Sequence, residues 1–193
     1  MAQVEQIVEI DGATAASLPP AGTYEIDAHH TSAEFVARHM LTKVRGAFPE
    51  ITGTIQVAEK PEDSRVEVEL QTATVSTNSD MRDEHLRGDD FFSVETYPTI
   101  AFKSTAVRLT GGTEFELDGD LTVRDVTKPV TLKGEFLGWG EDMSGKPRIF
   151  AEAKTTVVRE DWGLNWNMAV EASGLLVGKK VDLELQVQAF KVG

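Results

Sequence analysis

Residues 114–123 read Glu-Phe-Glu-Leu-Asp-Gly-Asp-Leu-Thr-Val. Phe115, Leu117, Gly119, Leu121 and Val123 fall on one side; Glu114, Glu116, Asp118, Asp120 and Thr122 fall on the other. Strict alternation of apolar and charged residues is the signature of a β-strand with one wet face and one buried face. Working outward, Gly111-Gly112 supplies a turn upstream, and Val130, Leu132, Gly134 and Phe136 repeat the period downstream with Lys133 and Glu135 outside. The same period recurs at Ile100, Phe102, Ser104 and Ala106, and at Val66, Val68 and Leu70. It recurs again at Ile51, Gly53, Ile55 and Val57, after a break at Pro49 that separates them from Val44, Gly46 and Phe48. Tyr24, Ile26 and Ala28 open the series, and Phe35–Met40 makes a short strand apolar on both sides. Ile149–Val158 follows a turn at Ser144-Gly145, and Val181, Leu183, Leu185, Val187 and Ala189 close the series.

About eight long strands joined by short turns form an antiparallel meander rather than βαβ units. Such a sheet loses its exposed edges by closing, which predicts an all-β, antiparallel, eight-stranded β-barrel. The interior of a barrel this size is filled by side chains or holds one slim ligand. Strands of ten residues rise about 33 Å. With Val, Ile, Leu and Phe inside, any ligand is expected to be long and apolar.

The chain has 193 residues, enough for one substantial core, and 40% of them are hydrophobic. It contains no cysteine, which removes disulfides, thiolate nucleophiles and Cys-ligated metals. Its net charge of −13 argues against nucleic acid and against an anionic membrane surface. No apolar run reaches the roughly 18 residues of a membrane span, so no stable membrane insertion is expected. The N-terminal Met1–Gly12 shows neither a basic nor an apolar signal region, which makes a cytoplasmic location the expectation. Residues 1–21 read as an extension or linker ending in Pro19-Pro20, with Val4, Ile7, Val8 and Ile10 able to add an edge element. Residues 22–193 read as one barrel domain.

The one helical signal lies in Asn78–Pro98. Ser79 or Asp80 can cap a helix over Met81–Arg87, and Gly88 can stop it. Met81, His85 and Leu86 share one side, and Asp83 and Arg87 are expected to pair on the outer side. Asp89 or Asp90 can cap a second turn carrying Phe91, Phe92 and Val94. This short cap is either a lid that admits ligand at one barrel mouth or a fixed crossover that plugs the barrel with Phe91 and Phe92.

Little in the chain points to catalysis. Convergence of His30, His39 and His85 would make a metal site, yet no ligand pair sits on one regular element. The plainer reading is a polar network in which they bond Asp27, Asp83 or the backbone and fasten the cap. Ser104 lacks a nucleophile elbow. Asp89-Asp90 and Glu160-Asp161 are better explained as caps and turns, and Thr127-Lys128-Pro129 as a turn before a strand.

Several motifs together resemble the YceI-like family of bacterial lipocalin-like barrels. They are Tyr24–Asp27, His30–Phe35 with His39, Gly46–Phe48, Arg82–Arg87, Asp90–Phe92, Tyr97–Ser104, Gly119–Val123, Val126–Val130, Asp161–Leu164 and Trp166-Asn167. Thr31, Asp125 and Trp162 depart from the usual pattern. The resemblance implies binding, sequestration or transport of a polyisoprenoid, isoprenoid quinone or fatty-acyl lipid, without catalysis, cofactor or metal. Resemblance and alternation together assign Phe35, His39, Phe48, Val68, Leu70, His85, Phe92, Ile100, Phe102, Phe115, Leu117, Leu132 and Phe136 as ligand-binding. His39 and His85 would fasten the cap or meet a polar head. The competing readings are a metal-dependent or other enzyme built on the histidines, and a filled structural or stress-response barrel. Leu109, Leu137 and Trp139 read as a surface patch compatible with a homodimer.

Overall fold

The computed structural model describes residues 18–170 and 174–193. The element expected around Val4, Ile7, Val8 and Ile10 lies outside the described residues. The strands are β1 (Gly22–Ile26), β2 (Ser32–His39), β3 (Thr42–Ala47), β4 (Ile51–Val57), β5 (Arg65–Gln71) and β6 (Thr99–Gly111). They continue with β7 (Glu114–Val123), β8 (Val126–Glu141), β9 (Pro147–Val158), β10 (Ala169–Val170), β11 (Gly174–Leu175) and β12 (Val177–Val192). One helix, α1 (Asp80–Arg87), interrupts the β structure between β5 and β6.

These strands close an eight-staved antiparallel barrel. β1 and β2 form one interrupted stave, because both pair with β12 (Ile26 opposite Ala189, Ser32 opposite Gln186). β3 and β4 form the next: β3 pairs with β2, β4 pairs with β1, and Phe48–Glu50 separates them. β5, β6, β7, β8, β9 and β12 complete the ring, and the β1–β12 pairing shuts it. The break expected at Pro49 is therefore the point where a stave changes partner.

Two bulges change which side chains face inward. Ser104 pairs with Gly119 but Ala106 pairs with Asp118, so Thr105 is extra. Beyond it Val107 and Leu109, not Ala106, reach the interior. The hydroxyl of Ser104 is buried and accepts the backbone N–H of Val66 at 2.8 Å. In β8 the register shifts between Phe136 and Gly138. This turns Trp139 onto Tyr24, Ile149 and Ala189 inside the barrel, so it does not join Leu137 in a surface patch.

Thr127-Lys128-Pro129 is not a turn. The turn is Arg124-Asp125, with Arg124 at φ 57°, and Pro129 sits within β8 opposite Asp120. β8 pairs with β9 only from Lys133 onward, so the missing proline N–H has no ladder to break on that edge.

Phenylalanine rings lie over glycines on the inner wall. A Cβ at Gly119 would stand 2.4 Å from the Phe102 ring and 2.7 Å from the Lys103 carbonyl oxygen. Gly134 faces Phe115 and the Glu152 carbonyl in the same way. Gly119→Val is therefore expected to cost about 2 kcal/mol, because backbone as well as ring must move. Urea unfolding measures this; a loss no larger than a surface substitution would contradict the close approach.

One ion-pair cluster ties the corner of the interrupted stave to β9. The Asp27 carboxylate accepts from Arg148 Nη1 at 2.6 Å and lies 2.9 Å from His30 Nδ1. Arg148 also donates through Nε to Asp142 at 3.2 Å. Arg148 holds the Asp27 carboxyl down at about 2; burial opposes the shift and His30 adds to it. The folded value lies below the ordinary 3.8, so the stabilisation is complete above that range and is lost as pH falls through the folded value. The Asp27 side chain is 11% exposed, and the shift corresponds to about 2 kcal/mol. The stability gap between the native chain and Asp27→Asn is expected near neutrality and should shrink steadily toward about pH 2. A gap independent of pH would contradict the assignment.

Candidate ligand cavity

A cavity of about 420 Å³ runs inside the barrel. Its wall is almost wholly apolar and draws on nearly every stave. At one end it reaches Leu18, Pro19, Ala58, Pro61, Leu109 and Gly112, around the loops that follow β4 and β6. Leu18 is 53% and Leu109 52% exposed, so this end forms the mouth.

The opposite end is plugged. Phe48, Val75, Phe91, Phe92, Trp162 and Leu164 pack there as one buried cluster with Ile100, Leu121 and Val123. The Phe48 and Phe92 rings meet edge to face, with centroids 5.4 Å apart. Trp162 Nε1 donates to the Leu121 carbonyl at 3.0 Å, which satisfies its polar atom in the core.

Local chemistry explains why residues 78–98 fold as this plug. α1 starts one residue earlier than expected, at Asp80, and stops at Gly88, whose N–H reaches the His85 carbonyl. Ser79 occupies the N-cap position without a side-chain cap bond. Asp83, expected outside, is buried and accepts from Thr77 N at 2.8 Å and Thr77 Oγ1 at 2.5 Å. Arg87 does not pair with it four residues back; it donates to the carbonyls of Ala73 at 2.8 Å and Val75 at 3.0 Å. Met81 is 84% exposed and Leu86 reaches the cavity wall, so the expected apolar side is only partly realised. Beyond Gly88 the expected second turn forms as a non-helical turn carrying Phe91 and Phe92, with the Phe91 N–H on the Gly88 carbonyl at 3.1 Å, and Asp89 accepts from Ser93 Oγ at 2.6 Å. The segment is thus anchored by polar bonds on one side and by phenyl rings on the other, and the cavity opens at the far end.

Of the residues assigned from the sequence, Phe35, Phe48, Val68, Leu70, Phe92, Ile100, Phe102, Phe115, Leu117, Leu132 and Phe136 stand on the cavity wall. His39 and His85 do not. His39 ends β2, where it pairs with Thr42 and Val177. His85 lies on the plug, 3.0 Å from Asp90 Oδ2 rather than near Asp83, with its ring edge-on to Trp166 at 4.5 Å. His30 bonds Asp27, as expected, at the β1–β2 corner. Among the described residues, no three His, Asp or Glu side chains gather as metal ligands.

Sequence reasoning missed the wall contributed by β9 and β12, including Ala151, Ala153, Leu183 and Leu185. Alternation marked Leu183 and Leu185 as inward, but no period was read within Ile149–Val158. Nor does one strand alone show the pairing of Phe136 with Ala151 and Gly134 with Ala153, which sets small residues beside larger ones on the wall. Arg159 also reaches the wall, although a charged residue after a strand reads as a solvated turn.

The YceI-like domain model matches residues 24–189. A UPF0312 protein of Azotobacter vinelandii is 34% identical over 175 residues, covering 89% of this chain and 88% of that protein. A UPF0312 protein of Pseudomonas syringae pv. tomato is 38% identical over 148 residues, covering 75% of this chain and 77% of that protein. Among solved structures, BcnA of Burkholderia cenocepacia has a TM-score of 0.73 at 18% identity, covering 84% of this chain and 98% of its own. A polyisoprenoid binding domain from Saccharophagus degradans has a TM-score of 0.66 at 15% identity, covering 90% of this chain and 100% of its own. At these identities the structural likeness establishes the barrel fold. Among the described residues no helix is long and apolar enough to cross a membrane.

Proposed function

Because the chain belongs to the YceI-like family, we propose that it binds one long-chain lipid inside the barrel, as a carrier or sequestering protein. The observation that carries this reading is the apolar cavity of about 420 Å³, plugged at one end and open at the other. That volume lies within the range of small-molecule sites, about 300–1,000 Å³. A cavity of this size favours a barrel that holds a ligand over one filled by its own side chains. The structural relative described as a polyisoprenoid binding domain supports the same chemistry.

The ligand's chain would run along Phe115, Leu117, Leu132 and Phe136 toward Phe102 and Ile100, ending near Phe35, Phe48 and Phe92. Val68 and Leu70 complete that side. A hydrocarbon suits this wall because its burial needs no polar partner. Ten buried methylenes contribute about 8 kcal/mol before association and ordering costs. Affinity in the micromolar range or weaker follows from hydrocarbon alone. A fluorescent polyene fatty acid added to delipidated protein is expected to give saturable, one-to-one emission that unlabelled long-chain lipid displaces. Emission that never saturates, or that lipid does not displace, would overturn the reading.

A further inference from the structure

Arg159 is the one cationic residue on the described cavity wall, and it stands at the plugged end. It is only 4% exposed, and Trp162, in the same turn, is equally buried. Its Nε donates to the Gly178 carbonyl at 2.9 Å, Nη1 to the Leu164 carbonyl, and Nη2 to the Val177 carbonyl at a long 3.4 Å. Among the described residues no carboxylate forms an ion pair with it; neighbouring Glu160, whose charge offsets part of the cost of burying Arg159, is bridged to Lys179 at 3.0 Å. Glu34 and Glu152, also on the wall, direct their carboxylates to Arg45 and Gln186 at exposed positions. A guanidinium carries five N–H donors, and backbone carbonyls carry no full charge to neutralise it. Burial accordingly pushes Arg159 below the ordinary arginine value.

Resting on the lipid-binding reading, we propose that Arg159 receives the head group of the lipid at the plugged end. The ligand then enters head first, its head is a carboxylate, and its tail points to the mouth. The guanidinium fork matches a carboxylate's two oxygens, and the surrounding apolar wall strengthens the pairing. The mouth, at Leu18, Pro19, Pro61, Leu109 and Gly112, offers an anionic head no cation on the wall.

The tryptophans provide a ruler. Trp139 packs at the mouth end of β8, while Trp162 and Trp166 belong to the plug. In a Trp139→Phe protein, emission reports the plugged end. Stearic acid carrying a nitroxide close to its carboxyl is expected to quench that emission more strongly than stearic acid carrying one close to its methyl end. Arg159→Gln should weaken stearate about ten- to a hundredfold, the range for a charge-assisted bond, and leave methyl stearate nearly unchanged. Arg159→Lys should keep the preference for stearate. Stronger quenching by the methyl-end label, or equal quenching by both, overturns head-first binding and leaves lipid binding intact. Failure of both labelled acids and of methyl stearate to bind removes both readings together. If Arg159→Gln does not fold, the quenching comparison in protein with native Arg159 still decides.

Discussion

Leu132→Trp, alone or with Leu117→Trp, is expected to weaken binding of a long-chain lipid about fifty- to two-hundredfold while leaving a folded barrel. Leu117 and Leu132 face each other across β7 and β8, both nearly buried and both on the cavity wall. An indole at either position occupies the path of the hydrocarbon. Excluding three or four methylenes removes about 2.4 to 3.2 kcal/mol of burial, which is the stated range in affinity. The added ring enters open space, so its cost in stability should stay near the low end of overpacking, about 1 kcal/mol. Titration with a fluorescent polyene measures affinity, and thermal unfolding checks the fold. Unchanged affinity in a folded variant would place the lipid outside the barrel.

Asp83→Ala should destabilise the protein by about 3 kcal/mol, the upper range for bonds to a buried carboxylate. The variant leaves the Thr77 N–H without its acceptor in a site that is closed to water. Arg82 Nε also donates to Thr77 Oγ1, so the loss reaches a second link between α1 and the wall. For a chain of this length the midpoint should fall by about 6–12 °C. Burial by itself would raise the Asp83 carboxyl, but the bonds from Thr77 and Ser76 and the charge of Arg87 hold it below its ordinary value. Its stabilisation is thus present above that ordinary range and is lost on acidification. The native chain and Asp83→Ala should converge in stability at low pH. A loss under about 1 kcal/mol, comparable with a surface change, would mean that the phenyl rings alone hold the plug.

Most of the barrel was legible because alternation is a local property. Charges at Glu114, Glu116, Asp118 and Asp120 fix the outer face of β7 without knowledge of its neighbours. The inner faces of β6 and β8 were legible only up to their bulges. An extra residue at Thr105 or Leu137 inverts everything beyond it, and β-branched or aliphatic residues there give no warning. Trp139 was therefore assigned to the wrong side, whereas Leu109 is exposed as expected, at the mouth. The plug was legible as a helix with its Gly88 stop, but not in its orientation. Helical spacing favours the apolar side carrying Met81, whereas the tertiary bonds to Thr77 bury Asp83 instead. Most of the cavity wall followed from parity, since a residue facing inward is on the wall or in the plug. Whether that wall encloses space depends on small residues set opposite large ones, as with Ala151 and Phe136, and pairing across strands is not written along one strand. Arg159 was hidden for a related reason: its burial comes from β12, nearly twenty residues downstream.

Native mass spectrometry of freshly purified protein, followed by organic extraction, tests the central claim most directly. The account predicts a discrete non-covalent adduct that is released into solvent as a long-chain lipid, with one lipid per chain. A spectrum showing only the bare chain, from protein that also takes up no lipid when long-chain fatty acid is supplied, would contradict it.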